Sequence, residues 1–160
     1  MFLVASKGVA MNNGSKISQL KLPAIVSSID AFREFVVSQA EFPAFGAAKQ
    51  HDILLALEEV LINVIKHAYS NPAQEVITVS CFTDDDFVFH LRVEDQGQYF
   101  NMLEVPLNTL NSESDIGSQY DKGFGCTLIK KLADKLHYIY DEGKNVLTLS
   151  FAMGSISEEV

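Results

Sequence analysis

Tryptophan is absent from this chain, cysteine occurs twice, and proline four times, in 160 residues. Two cysteines, Cys81 and Cys126, are too few for a disulfide framework and stand in no Cys-x-x-Cys or Cys/His metal spacing. They read as reduced, partly buried thiols of a cytoplasmic protein. Basic side chains are also scarce: 12 Lys and Arg face 21 Asp and Glu, a formal net charge of −9. Such a charge opposes a phosphate backbone and argues against direct nucleic-acid binding. No stretch approaches the roughly 18 consecutive apolar residues of a membrane-spanning helix. The short apolar run at the N-terminus has no basic region before it, as a secretory signal would. No internal repeat and no Pro-, Gly- or Ser-rich linker divides the sequence.

What is present is a 48 % hydrophobic composition, enough for one substantial core and incompatible with disorder of the whole chain. Residues 1–14 read as a disordered leader, with Met11 as an alternative start, 15–153 as one domain, and 154–160 as a tail. Ile17, Leu20 and Leu22 suit a first strand, and Pro23 an entry into a helix whose apolar positions are Ile25, Ile29, Phe32 and Val36. Phe42-Pro43-Ala44-Phe45-Gly46 breaks that pattern. From Lys49 to Tyr69 the helical periodicity is strongest, with Ile53, Leu57, Val60, Leu61, Val64 and Ala68 on one face and Pro72 as its stop.

Two alternating stretches follow, Val76 to Phe82 and Phe87 to Asp95, joined by Thr83-Asp84-Asp85-Asp86 as a hairpin turn. In the second, Phe87, Phe89, Leu91 and Val93 share a face. Residues 101–122 are weakly periodic and rich in Asn, Ser and acidic side chains; so long a loop inside a compact domain is usually functional. Leu128, Ile129, Leu132 and Leu136 then mark an amphipathic helix. Strands from Leu136 to Asp141 and from Val146 to Phe151, turning at Glu142-Gly143-Lys144-Asn145, close the chain. Helices packed on one face of a mainly antiparallel sheet, an α+β fold, bury all of these faces.

Three places carry chemistry. On the long helix, Glu59, Asn63 and His67 form a polar stripe flanking the apolar face. Asn is a poor helix former, so Asn63 is either satisfied locally, by backbone or by Glu59, or lines a cleft. Asp95, ending a strand before Gln96-Gly97, is either a turn residue or an acceptor for an exocyclic N–H, since a carboxylate only accepts. Gly97 would let the backbone approach a flat ligand closely. Lys122-Gly123-Phe124-Gly125 leads into a helix; it is either a turn or a cradle that presents backbone N–H groups to phosphate, with Lys122 either solvated or a phosphate partner.

Their order is more informative than any one of them. Glu59-Val60-Leu61-Ile62-Asn63-Val64-Ile65-Lys66-His67-Ala68-Tyr69 resembles the N box of GHKL-type ATPases, in the version ending His-Ala-Tyr found in the anti-sigma factor serine kinases. Asp95-Gln96-Gly97-Gln98-Tyr99-Phe100 resembles that family's first glycine box, and Gly123-Phe124-Gly125-Cys126-Thr127-Leu128-Ile129 its second. Leu132-Ala133-Asp134 and Gly143-Lys144-Asn145-Val146-Leu147-Thr148-Leu149 also fit, so the resemblance spans about Leu20 to Phe151.

The resemblance implies a two-layer α/β sandwich of the Bergerat ATP-binding type. It implies ATP and Mg²⁺ as ligands, with Asn63 holding Mg²⁺ and Asp95 reading the adenine amino group. Gly97, Lys122, Gly123, Phe124, Gly125 and Thr127 would line the nucleotide site, 101–122 would be its lid, and Glu59 would be the general base. The activity it implies is that of an anti-sigma factor: binding a sigma factor or similar target, and phosphorylating a Ser on a STAS-type antagonist, as a homodimer. A non-catalytic ATP-dependent binding module and a stand-alone histidine-kinase-type ATPase domain are the alternatives. Gln98 and Tyr99 replace a second glycine common in the superfamily, Lys122 stands where Arg or Gly is frequent, and Cys126 stands where Leu is usual. Cys126 is either a small buried filler or a thiol whose pKa the helix N-terminus lowers.

Overall fold

The computed structural model describes residues 6–12, 15–67, 74–105 and 124–154. Among the described residues, six strands form one antiparallel sheet in the order β1-β2-β3-β4-β6-β5. They are β1 (Ser6–Asn12), β2 (Ser15–Pro23), β3 (Val76–Thr83), β4 (Val88–Asp95), β5 (Lys135–Asp141) and β6 (Lys144–Ala152). Three helices accompany them: α1 (Ile29–Val37), α2 (Ala47–His67) and α3 (Phe124–Leu132). The α+β arrangement anticipated from the alternation of strand and helix patterns, helices on one face of an antiparallel sheet, is the observed architecture. Among the described residues no helix is long and apolar enough to cross a membrane.

The core lies between the helices and one face of the sheet. Period-two alternation puts Ile77, Val79 and Cys81 of β3, Phe89, Leu91 and Val93 of β4, and Leu147, Leu149 and Phe151 of β6 on that face, all buried. Helix α2 answers with Ile53, Ala56, Leu57, Val60, Leu61 and Val64, buried along its whole length. Each of the larger side chains contributes roughly 1.5–3 kcal/mol on leaving water. Phe45 packs edge-on against Phe89, centroids 5.8 Å apart, and fixes the segment that enters α2. Gln50 Nε2 donates to the Phe45 carbonyl at 2.8 Å and pins the same junction.

Several sequence expectations shift. Ser6–Asn12, expected within a disordered leader, pair residue for residue with Ser15–Lys21 as a hairpin. The helix expected from Pro23 begins as a single 3₁₀ turn at Val26–Ser28 and becomes α-helical only at Ile29. Phe87 does not join the inward face of β4: it occupies the turn with φ +57° and is 69 % exposed. The turn places it there because Asp84 Oδ1 accepts the N–H groups of Asp86 and Val88, at 3.0 and 2.9 Å. Helix α3 stops at Leu132, and Leu136 belongs wholly to β5. The final hairpin turns on Glu142 and Gly143 alone, both with positive φ, as a two-residue turn between right-twisted strands requires. Lys144 and Asn145 are therefore strand residues. Ala68, Tyr69, Pro72, Lys122, Gly123 and most of the expected lid lie outside the described residues.

Candidate functional site

The polar flank of α2 meets the first turn of α3. A Cβ on Gly125 would stand 2.7 Å from Glu59 Oε2, 3.5 Å from Asn63 Nδ2 and 3.7 Å from Asn63 Oδ1. The absent side chain at 125 thus lets two functional groups, one turn apart on α2, reach the helix end. Asn63 Nδ2 also points at Cys126 Sγ, 3.9 Å away. Cys126 and Thr127 are buried in that first turn, and Phe124 opens the helix. The start of an α-helix carries N–H groups without intrahelical partners and the positive end of the dipole. It sits here against a carboxylate and an amide. His67 ends α2.

Burial, with repulsion from Glu58 second, pushes the Glu59 carboxyl above the ordinary carboxylate range, opposed by Lys66. Burial likewise pushes the Cys126 thiol up, so the filler reading of that residue fits better than a lowered thiol pKa.

On the other side of α2, Asp95 ends β4 and is buried. Its Oδ1 accepts the Gly97 N–H at 2.9 Å and Asn145 Nδ2 at 3.0 Å. Burial raises its pKa against those two hydrogen bonds, which lower it. A cavity opens beside this carboxylate. Its walls are apolar, from Val60 and Val64 of α2, Val93 and Leu147 of the sheet, and Phe100 and Met102 of the segment after β4. Asp95, Tyr138 and Asn145 supply its polar groups. The recess is only about 10 Å³, room for about one water, so its apolar walls and convergent polar groups match a small flat heterocycle's site in chemistry and not in size.

Sequence reasoning placed Glu59, Asn63, Asp95, Gly97, Lys122, Gly123, Phe124, Gly125 and Thr127 as candidates, of which Lys122 and Gly123 lie outside the described residues. The structure brings Glu59, Asn63 and Gly125 together and puts Asp95 on the adjoining cavity, with Gly97 outside its lining and tied to Asp95 Oδ1 through its N–H. Asn145 and Tyr138 were missed as site residues. The signal was available for Asn145: it is two residues before Leu147 and shares the inward face of β6 with Leu147, Leu149 and Phe151. A buried Asn at the head of an apolar row is a positioned polar group, and assigning it to the turn hid it. Among the described residues no group of three or more His, Cys, Asp or Glu side chains could hold a metal by itself. The hard amide oxygen of Asn63 is of the kind that would suit Mg²⁺.

Comparison with known proteins gives a consistent picture. The family model for the histidine kinase-like ATPase domain matches residues 22–151. A serine-protein kinase RsbW of Bacillus mycoides is 24 % identical over 135 residues, covering 83 % of each chain. The RsbW serine-protein kinase of Bacillus cereus strain AH187 has the same identity and coverage. Among solved structures, one of the RsbU and RsbW domains of a Mycobacterium tuberculosis protein superposes with TM-score 0.57 at 16 % identity. It covers 84 % of this chain and 32 % of its own. A blue-light activated histidine kinase of Erythrobacter litoralis superposes with TM-score 0.52 at 15 % identity, covering 84 % and 42 %. This chain therefore spans well under half of either solved chain.

Proposed function

This chain belongs to the histidine kinase-like ATPase domain family, and from that premise we propose that it is an ATP-binding anti-sigma regulatory factor of the RsbW kind. In this reading it binds a sigma factor or similar target and phosphorylates a Ser on a STAS-type antagonist. It acts in the cytoplasm as a homodimer. The observation that carries the catalytic part is the meeting of Glu59 and Asn63 with Gly125 at the start of α3. The RsbW serine-protein kinases among its relatives support the choice of acceptor.

Each residue then has a task. Asp95 accepts the exocyclic N–H of adenine, and the apolar walls of Val60, Val64 and Leu147 clasp the ring. Gly97, Gly123 and Gly125 allow close backbone approach, and Lys122, Phe124 and Thr127 line the phosphate cradle under the lid of 101–122. Asn63 would hold Mg²⁺, which when bound would neutralise phosphate charge. Glu59 takes the proton of the attacking Ser hydroxyl as the Ser Oγ–P bond forms and the bond between the γ-phosphoryl group and ADP breaks. A carboxyl whose pKa is raised toward working pH is a better base than an ordinary one. Positioning and charge neutralisation supply most of the remaining rate. A purely binding module has no use for a carboxylate beside the phosphates, and Glu59 disfavours that alternative.

A thermal-shift titration with Mg-ATP and Mg-GTP, on wild type and Asn63→Ala, tests the reading. Ligand at about 100 times its Kd adds roughly 2.7 kcal/mol of stability. The expected result is a rise with ATP alone that Asn63→Ala loses. Radiolabel transfer from γ-labelled ATP to a STAS-domain protein, absent in Glu59→Gln, is the expected second result. No shift with either nucleotide overturns the reading.

A further inference from the structure

One buried side chain connects the parts of this site, and its contacts are unusually complete. Asn145, 5 % exposed, lies directly across the β4·β6 ladder from Asp95. Its Nδ2 donates to Asp95 Oδ1 at 3.0 Å and to the Gln98 carbonyl at 2.8 Å, with the Gly97 carbonyl 3.5 Å away. Its Oδ1 accepts the Phe100 N–H at 3.0 Å and the Tyr138 hydroxyl at 2.5 Å. These partners dictate the amide's orientation: turned over, it would set oxygen against a carboxylate and a carbonyl, and NH₂ against an N–H. We propose that Asn145 is a positioning residue that sets adenine over guanine selectivity, by holding the Asp95 carboxylate and the 97–100 backbone in one fixed arrangement.

The argument rests on the nucleotide reading above and adds a specificity mechanism to it. A carboxylate discriminates adenine from guanine because it accepts from an exocyclic NH₂ and repels a ring carbonyl oxygen. That discrimination needs the carboxylate held still, since a buried acceptor free to rotate can turn away from the wrong base. Gly97 N–H and Asn145 Nδ2 both engage Oδ1, and so fix the rotation of the group about its Cβ–Cγ bond. The same amide holds Gln98 and Phe100, whose side chain forms a wall of the cavity. Tyr138 braces Asn145 from β5, and burial pushes its own hydroxyl up to about 12, so it stays a donor across the physiological range. Base reading and the wall of the pocket therefore depend on one residue.

Equilibrium binding of Mg-ATP, Mg-GTP and Mg-ADP, by displacement of a fluorescent ADP analogue, tests the proposal. Wild type is compared with Asn145→Ala, Asn145→Asp and Tyr138→Phe, each checked for a cooperative thermal transition. Asn145→Ala is expected to cut the ATP:GTP affinity ratio about tenfold, the scale of one hydrogen bond to a charged group, with the ATP:ADP ratio unchanged. Tyr138→Phe, which leaves Asn145 in place, is expected to cut it about threefold. Asn145→Asp sets two carboxyls side by side, which favours their sharing one proton. Its ATP:GTP ratio should fall at pH 8 and recover toward pH 6, where wild type is flat. Equal losses for all three nucleotides, with no pH-dependent recovery in Asn145→Asp, would assign Asn145 a structural role and overturn the inference. Wild type binding ATP and GTP alike would do the same. Wild type binding no nucleotide would instead overturn the nucleotide reading itself.

Discussion

The two faces of the sheet treat their polar groups differently. On the helix-covered face, Glu59 and Asp95 carry carboxyls raised by burial. On the open face, His90 lies between Asp84 and Ser150, with Nε2 2.7 Å from Asp84 Oδ2 and Nδ1 2.8 Å from Ser150 Oγ. Its ring stacks on Phe82 with centroids 4.8 Å apart, and Gln19 Nε2 donates to Ser80 Oγ nearby. Here the hydrogen bond from His90 holds the Asp84 carboxyl below its ordinary value. By distance alone Asp84, His90 and Ser150 imitate a catalytic triad. Ser150 is buried at mid-strand, in a stretch where ladder pairing commits the backbone N–H groups that an oxyanion would need. The open-face network favours the charged acid and stabilises a turn, whereas the covered face disfavours charge and keeps it available for chemistry.

Four experiments sharpen or break that contrast. The largest effect belongs to Glu59→Gln, which should cut phosphoryl transfer by about 10²–10⁴-fold while leaving ATP affinity within a few fold. The wild-type rate should rise with pH through the raised Glu59 pKa, and the variant's residual rate should not follow it. Gly125→Ala comes next. Its methyl would press on Glu59 Oε2, the mobile end of a flexible side chain. The fold should survive within a few degrees, and kcat should fall by about 10²-fold, as for a base displaced by about an ångström.

Asp84→Ala, on the opposite face, should lower stability by about 1–2 kcal/mol in a urea titration and leave nucleotide affinity unchanged. A loss of ATP binding in that variant would break the separation of the two faces. The smallest effect is a difference in pH slope. The depressed Asp84 pKa contributes stability above the ordinary carboxyl value, which disappears as pH falls through the folded pKa. The raised Asp95 pKa works oppositely: its contribution is present in acid and lost as pH rises from the ordinary value to the raised one. Asp95→Asn should therefore gain on wild type across that second window in chemical denaturation, while losing its preference for ATP.

Much of this molecule was legible in the sequence because burial enforces periodicity. The inward row of α2 and the alternation in β3, β4 and β6 are one-sided hydrophobic patterns, and the structure follows them. Glu59 and Asn63 stood out as a polar stripe beside an apolar face, but the stripe alone left a local structural reading open, and only the order of the three motifs pointed beyond it. What was hidden depends on pairing across the chain. Strand β1 was hidden because its side chains at 6–9 are exposed, whereas β2 carries the buried Ile17 and Leu20 that announced it. Phe87 carries an apolar side chain into a turn set by Asp84, and local chemistry outvoted the alternation. Asn145 acquires its role from Asp95, fifty residues earlier, and no local window contains both.

The strand order has a kinetic consequence. Every adjacent pair in the sheet but two is a local hairpin, the exceptions being β2·β3 and β4·β6. Asp95 and Asn145 form the terminal rung of β4·β6, while Glu59 and Gly125 sit on the two helices that the same joint brings together. The Asp95–Asn145 part of the pocket does not exist until β6 has docked along β4. Because a long loop must close first, that docking belongs to the slow, non-local part of folding. A refolding assay should thus see nucleotide affinity appear with the last-formed native structure, leaving a newly made chain unable to hold ATP until its C-terminal hairpin has arrived.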